Sequence, residues 1–141
     1  MAEHEIKVAE EQAEQEFESW AEAWDIETDT SDFDEDDLEQ YKALKKKIIK
    51  AVKQGRASFI EDFEKIKYTL RFPRGEITHI VLEMPEGDAL TATDKYKPHE
   101  QIKKQNAFIA RMANQPPSII TKLKVADLKF LQVVTALFLA S

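Results

Sequence analysis

Charge is divided unevenly along this chain of 141 residues. Residues 1–41 contain seventeen Asp and Glu and a single Lys, a net charge of −16, whereas residues 42–141 contain nineteen Lys and Arg and ten acids, a net charge of +9. The two sum to the overall charge of −7. Either the acidic segment folds back onto the basic remainder, or each part binds a partner of opposite charge. Both alternatives indicate a protein that works by contact.

Length and composition favour one cytoplasmic domain. A chain of this length folds around a single core, and 43% apolar residues are typical of a globular protein. No Cys is present, which excludes disulfides and thiolate metal ligands and fits a reducing compartment. The first residues lack the apolar core of a signal peptide, and Lys129 and Gln132 interrupt a C-terminal apolar stretch too short to span a bilayer. We therefore expect a soluble protein without membrane contact.

Residues 1–35 are predicted to form an acidic amphipathic helical arm followed by a linker. Within residues 3–24, apolar side chains recur every three or four positions and place one stripe on a Glu-rich helix: Ile6, Ala9, Ala13, Phe17, Trp20 and Trp24. Residues 25–37 are acidic and poor in apolar side chains, which is typical of an extended loop. The aromatic part of the stripe suits either the chain's own core or a groove on a partner.

Residues 36–141 are predicted to form a single α+β domain, mainly helical, with about four helices and one antiparallel β-hairpin. The predicted elements are, in order, a helix from near Asp34 to Gly55, strands at 65–72 and 77–82, a helix from Pro98 to near Asn114, a short helix after Pro117 and a last helix from Val125. An isolated two-stranded sheet is marginal in water, so we expect the hairpin to pack on the helices.

No arrangement of residues indicates an enzyme, a cofactor or a metal site. The three His, at positions 4, 79 and 99, show no ligand spacing, and the three Gly are not clustered as a phosphate loop requires. Asp32, Asp34 and Asp36 lack the Gly and distal Glu of a calcium loop. The lysine-rich segment 42–56 has no aromatic or arginine-rich reader beside it, so a solvated helix face is favoured over nucleic-acid binding.

The last predicted helix is apolar on nearly every side. Such a helix either lies in the centre of a core or is covered by another molecule. The basic body of about a hundred residues offers limited cover. We therefore expect more apolar surface than the chain itself can bury.

Four stretches make the sequence resemble the tail assembly chaperones of long-tailed bacteriophages, in particular those with contractile tails. They are FESWAEAWDI, DFDEDDLEQYKALKKKIIKAVKQGRASF, ITHIVLEMPEGDALTATDKYK and IARMANQPPSIITKLKVADLKFLQVVTALFLAS, and they span nearly the whole chain. The last stretch is the most specific, because a helix, a Pro-containing turn and the residues ADLK precede the apolar helix.

The resemblance implies a non-enzymatic protein of the host bacterial cytoplasm that is absent from the mature virion. Such chaperones bind and shield the long helical tape-measure protein and recruit tail-tube subunits around it. We expect these two partners, and self-association, but no nucleic acid, membrane or cofactor. The residues expected to face the tape-measure protein or a second copy are Phe130, Leu131, Val134, Leu137 and Phe138, with Phe17, Trp20 and Trp24 as a second surface.

An alternative of a different class stays open. The protein is then an acidic phage-encoded regulator whose N-terminal arm mimics the charge of DNA and occupies a host protein. Removing residues 1–35 abolishes binding for such an inhibitor, whereas it only weakens binding for a chaperone.

Overall fold

The chain folds into six helices and one three-stranded antiparallel sheet, in a computed structural model that describes residues 9–139. The helices are α1 (Glu10–Ala23), α2 (Glu35–Lys53), α3 (Asp88–Thr91), α4 (Gln101–Ala113), α5 (Pro117–Thr121) and α6 (Val125–Leu139), and the strands are β1 (Ala57–Ile60), β2 (Lys65–Arg74) and β3 (Ile77–Glu83). The predicted α+β class is confirmed. The predicted counts are wrong, because β1 adds a third strand and α3 adds a short helix.

Helix α1 lies antiparallel to α2 and carries the acidic segment back onto the basic one. Lys45 pairs with Glu18 at 3.1 Å and Lys53 with Glu10 at 2.7 Å, so the start of α1 lies beside the end of α2. Solvent screens partly exposed pairs of this kind, so they contribute little, and the buried face of α1 does more to hold it in place. The fold-back alternative is the one that the structure shows. Residues 3–8 of the predicted helix lie outside the described residues.

Helix α2 begins and ends where its sequence predicts. The Asp34 side chain accepts a hydrogen bond from the Asp37 backbone N–H at 2.8 Å. Acidic residues fill the first turn and favour the positive end of the helix dipole. At the other end, Gly55 adopts a φ of 74°, a left-handed conformation that glycine tolerates without steric cost.

The sheet is a meander in the order β1-β2-β3. Ala57 pairs with Tyr68, and Ile60 pairs with Lys65, across β1 and β2. The turn at residues 61–63 has three consecutive non-Gly residues with positive φ. Sequence reasoning missed β1 because the strand has only four residues and its turn lacks the Gly that usually marks this conformation.

A bulge interrupts the pairing of β2 with β3 after Thr69. The backbone N–H groups of Arg71 and Phe72, within this interval, donate instead to the Asp127 carboxylate of α6, at 2.8 and 3.0 Å. Asp127 is fully buried and also accepts from the Tyr68 hydroxyl at 2.9 Å. A buried carboxylate is costly unless its oxygens are hydrogen-bonded, and the bulge supplies the donors. This side chain therefore fixes the start of α6 against β2.

The C-terminal helices follow their predicted boundaries closely. Helix α4 ends at Asn114, whose φ of 56° stops the helix, and Pro117 is the first residue of α5. Helix α4 begins at Gln101 rather than at Pro98. The intervening turn is held by the Glu100 carboxylate, which accepts from the Lys97 backbone N–H at 2.9 Å.

One hydrophobic cluster unites the fold around α6. Helix α6 contacts α2, α4 and β2, and its buried side chains belong to the same cluster as those of α1, α2, α4 and the sheet. The predicted arm at residues 10–23 is therefore part of this core. None of the helices within residues 9–139 is long and apolar enough to cross a membrane.

Asp127→Ala should lower the free energy of unfolding by about 2–4 kcal/mol, because the Tyr68 hydroxyl and two backbone N–H groups lose their acceptor. Urea denaturation followed by circular dichroism measures this change. The exposed Asp94→Ala is the matched control and should shift stability by less than about 0.5 kcal/mol. Equal stability of the two variants would show that Asp127 does not anchor α6.

Candidate partner-binding grooves

The aromatic side chains of α1 and of Trp24, the residue that follows it, lie inside the core. Phe17 and Trp20 are fully buried and Trp24 nearly so. Their ring centroids lie 5.8 Å apart from Phe17 to Trp20 and 5.1 Å apart from Trp20 to Trp24. The Trp24 indole N–H also donates to the Glu64 carbonyl at 2.8 Å. Of the two alternatives that the sequence left open, core packing is the one that the structure shows.

The five candidate residues of α6 are also enclosed. Leu131, Val134 and Leu137 are buried, Phe130 is 8% exposed, and Phe138 is partly buried against the core. The expectation that the chain cannot cover these side chains is wrong. The expectation was wrong because it assumed that only the basic body could bury the apolar side chains of α6. Helix α1 also packs into the core and helps to bury them.

Phe138 joins the two predicted surfaces. Its ring meets Trp24 edge-on at 5.6 Å and lies 6.4 Å from the ring of Phe108 in α4. Side chains from opposite ends of the sequence thus form one cluster instead of two separate binding surfaces. Partner binding by these eight residues stays a prediction, and it requires the core to open.

A groove of about 520 Å³ runs between α2 and α6. On the α6 side, its lining positions recur at steps of three or four and therefore share one side of the helix: Ala126, Lys129, Val133 and Ala136. On the α2 side, Leu44 and Ala51 add apolar floor. We call this feature the α2/α6 groove. Of the eight predicted site residues, only Phe130 lines it.

Among the described residues that line the α2/α6 groove, five are cationic and none is acidic: Lys47, Lys50, Arg56, Arg71 and Lys129. Lys47 and Lys50 of α2 lie on one side of the groove, and Lys129 of α6 lies on the other. Arg56 and Arg71 lie at the end of the groove near β2. Within residues 9–139, none of the five takes part in an ion pair. The groove therefore carries local positive charge in a protein whose net charge is negative.

The chemistry of the groove suits binding. Its lining residues within 9–139 provide ammonium, guanidinium, amide and apolar groups, and none of them carries a carboxylate or an imidazole that can act as a general base. Tyr68 lines one end, with its ring stacked on Phe130 at 4.4 Å and an interplanar angle of 9°. Burial and the hydrogen bond to Asp127 raise the pKa of Tyr68 to about 12, so its hydroxyl stays protonated near neutral pH.

A second surface is apolar and lies at the end of α6. Leu90 of α3, Ile102 of α4 and Leu139 of α6 are 61%, 70% and 54% exposed, and all three line one depression of about 390 Å³. We call this depression the apolar notch. Exposed apolar clusters of this kind often mark protein interaction sites. Apolar surface that the chain leaves exposed is thus found here, on residues that the sequence did not single out for binding, and not on the five candidate residues of α6.

No known protein-family model matches the chain, and no match is found among curated proteins or among solved structures. Within residues 9–139, no group of three or more His, Asp or Glu is placed to hold a metal ion. The α2/α6 groove and the apolar notch are therefore the candidate sites for partner binding.

Stability should decline at alkaline pH through Tyr68. Its pKa in the folded chain, about 12, lies above its ordinary value near 10. The contribution of Tyr68 is therefore complete below about pH 10 and is lost as the pH rises toward 12. As the pH rises through this interval, the free energy of unfolding should fall less for Tyr68→Phe than for the unaltered protein.

Urea denaturation at several pH values makes this comparison. Tyr41 and Lys65 also have raised pKa values, Tyr41 mainly through burial and Lys65 through its hydrogen bonds to Glu61 and Glu83. Both groups remain in the variant, so the difference between the two proteins isolates Tyr68. Parallel losses in both proteins would contradict the assignment.

Proposed function

We propose that the protein is a bacteriophage tail assembly chaperone, which binds and shields the tape-measure protein in the host cytoplasm and recruits tail-tube subunits during tail morphogenesis. The observation that carries this proposal is the α2/α6 groove. It extends from Leu44 to Gln54 along α2, about 15 Å, which accommodates about three turns of a partner helix. A long helical partner offers such segments repeatedly, and a groove between two helices is a common way to hold one.

The apolar notch supports a role that brings two proteins together. It is formed by different residues from those that form the groove floor, and three of its side chains are more than half exposed. Burial of apolar surface contributes roughly 25 cal/mol per Å². We assign the α2/α6 groove to the tape-measure protein and the apolar notch to a tail-tube subunit.

Ala136→Trp should abolish capture of the tape-measure protein, because the larger side chain fills the groove. Affinity capture after co-expression with a tape-measure fragment from the same genome measures this, and we expect a loss of about tenfold or more. The matched control is Ala43→Trp, an exposed position of α2 that does not line the groove. The proposal fails if the unaltered protein captures no tape-measure fragment, or if both variants capture it equally while remaining folded.

The acidic inhibitor is a second candidate, favoured by exposed acids on α1 and in the loop that follows it. Deletion of residues 1–35 cannot separate the two functions, because it also removes the buried Phe17 and Trp20 from the core. Neutralising Glu11, Glu14 and Glu22 to Gln leaves that core intact. A chaperone should retain capture of the tape-measure fragment within about twofold, whereas a DNA mimic loses its host partner.

A further inference from the structure

Helix α2 has lysines on two flanks, and within the described residues only one flank forms ion pairs. On the first flank, Lys45 and Lys53 pair with Glu18 and Glu10 of α1. On the second flank, Lys47 borders the α2/α6 groove and has no ion pair within residues 9–139. The two flanks differ because the first has an acidic amphipathic helix docked beside it.

Helix α1 shows which kind of segment suits this surface. Its apolar side chains enter the core, while its carboxylates reach the lysines of the neighbouring helix. The α2/α6 groove offers the same two features: an apolar floor with Val133 and Ala136, and cations on both sides, Lys47 on α2 and Lys129 on α6. Charge complementarity of this kind sets the orientation and the choice of partner.

We propose that the α2/α6 groove binds an acidic amphipathic helix of the partner protein. Apolar side chains of that helix contact the floor, and its Asp or Glu residues meet Lys47 and Lys50 on one side and Lys129 on the other. The proposal deepens the proposed function, on which it rests for the identity of the partner, by naming the chemistry of the segment that is recognised.

Two other occupants fit the groove less well. Single-stranded nucleic acid needs exposed aromatic rings on which bases stack, but Phe130 is only 8% exposed and its ring is stacked on Tyr68. The corresponding acidic helix of a second copy has its apolar side chains, including Phe17 and Trp20, inside its own core. A separate protein segment satisfies both the floor and the charges.

Fluorescence anisotropy with two labelled peptides tests the proposal on the full chain. The first is a helical peptide of about four turns with Leu on one face and Glu on the other, and the second carries Lys in place of each Glu. The acidic peptide should bind, and its affinity should fall as NaCl is added. Lys47→Glu combined with Lys129→Glu should weaken binding of the acidic peptide about tenfold. Lys122→Glu, an exposed charge outside the groove, should leave it unchanged.

The outcomes separate this inference from the proposed function. Equal binding of the two peptides, or no effect of the double reversal on a folded variant, overturns the acidic-helix inference. So does binding of single-stranded DNA, with the same reversal sensitivity, in place of the peptide. If the tape-measure fragment is captured but the double reversal and added salt do not weaken capture, the proposed function stands and the inference falls. If the acidic peptide binds as expected but the fragment is not captured, the inference stands and the proposed partner is wrong.

Discussion

The structure depends on the need to cover α6. Most of its residues are apolar, and it is covered by α2, α4 and β2, with Trp24, the residue after α1, packed against Phe138. Asp127 sets its position, because its carboxylate is satisfied only where the bulge of β2 frees two backbone N–H groups. The acidic segment therefore folds back onto the body mainly because its apolar side chains pack into the core, and its ion pairs contribute less.

The same packing determines which lysines of α2 lie beside the acids of α1 and which border the α2/α6 groove. Glu18 and Glu10 of α1 pair with Lys45 and Lys53 on one flank of α2, while no acidic residue among those described lines the groove on the flank beside α6. The polar strip that prevents α6 from being apolar all round, with Lys129 and Gln132, faces this groove. The open side of the central helix thus coincides with a positively charged groove, and this coincidence is the basis of the proposed binding role.

Local signals predicted much of the fold. The Asp34 cap, Gly55, Asn114 and the alternation of β2 each act within a few residues, so both ends of α2, the end of α4 and the start of β2 follow from the sequence. The start of α4, at Gln101 instead of Pro98, and the end of β2, at Arg74 instead of Phe72, do not. The candidate site did not follow. An apolar stripe shows which face of a helix avoids water but not what covers it, and the contact between Trp24 and Phe138 is nonlocal. The groove could not be predicted from the sequence either, because its cations come from separate elements.

Hydrogen exchange of the protein, alone and bound to the tape-measure fragment, distinguishes binding in the α2/α6 groove from binding by the core aromatic side chains. Binding in the groove should slow the exchange of amides of α2 and α6 that border it, around residues 44–54 and 126–136, and leave the amides of α1 unchanged. Faster exchange in α1, together with new protection around Phe138, would contradict it. That result would mean that the core opens and that its aromatic side chains, rather than the groove, hold the partner.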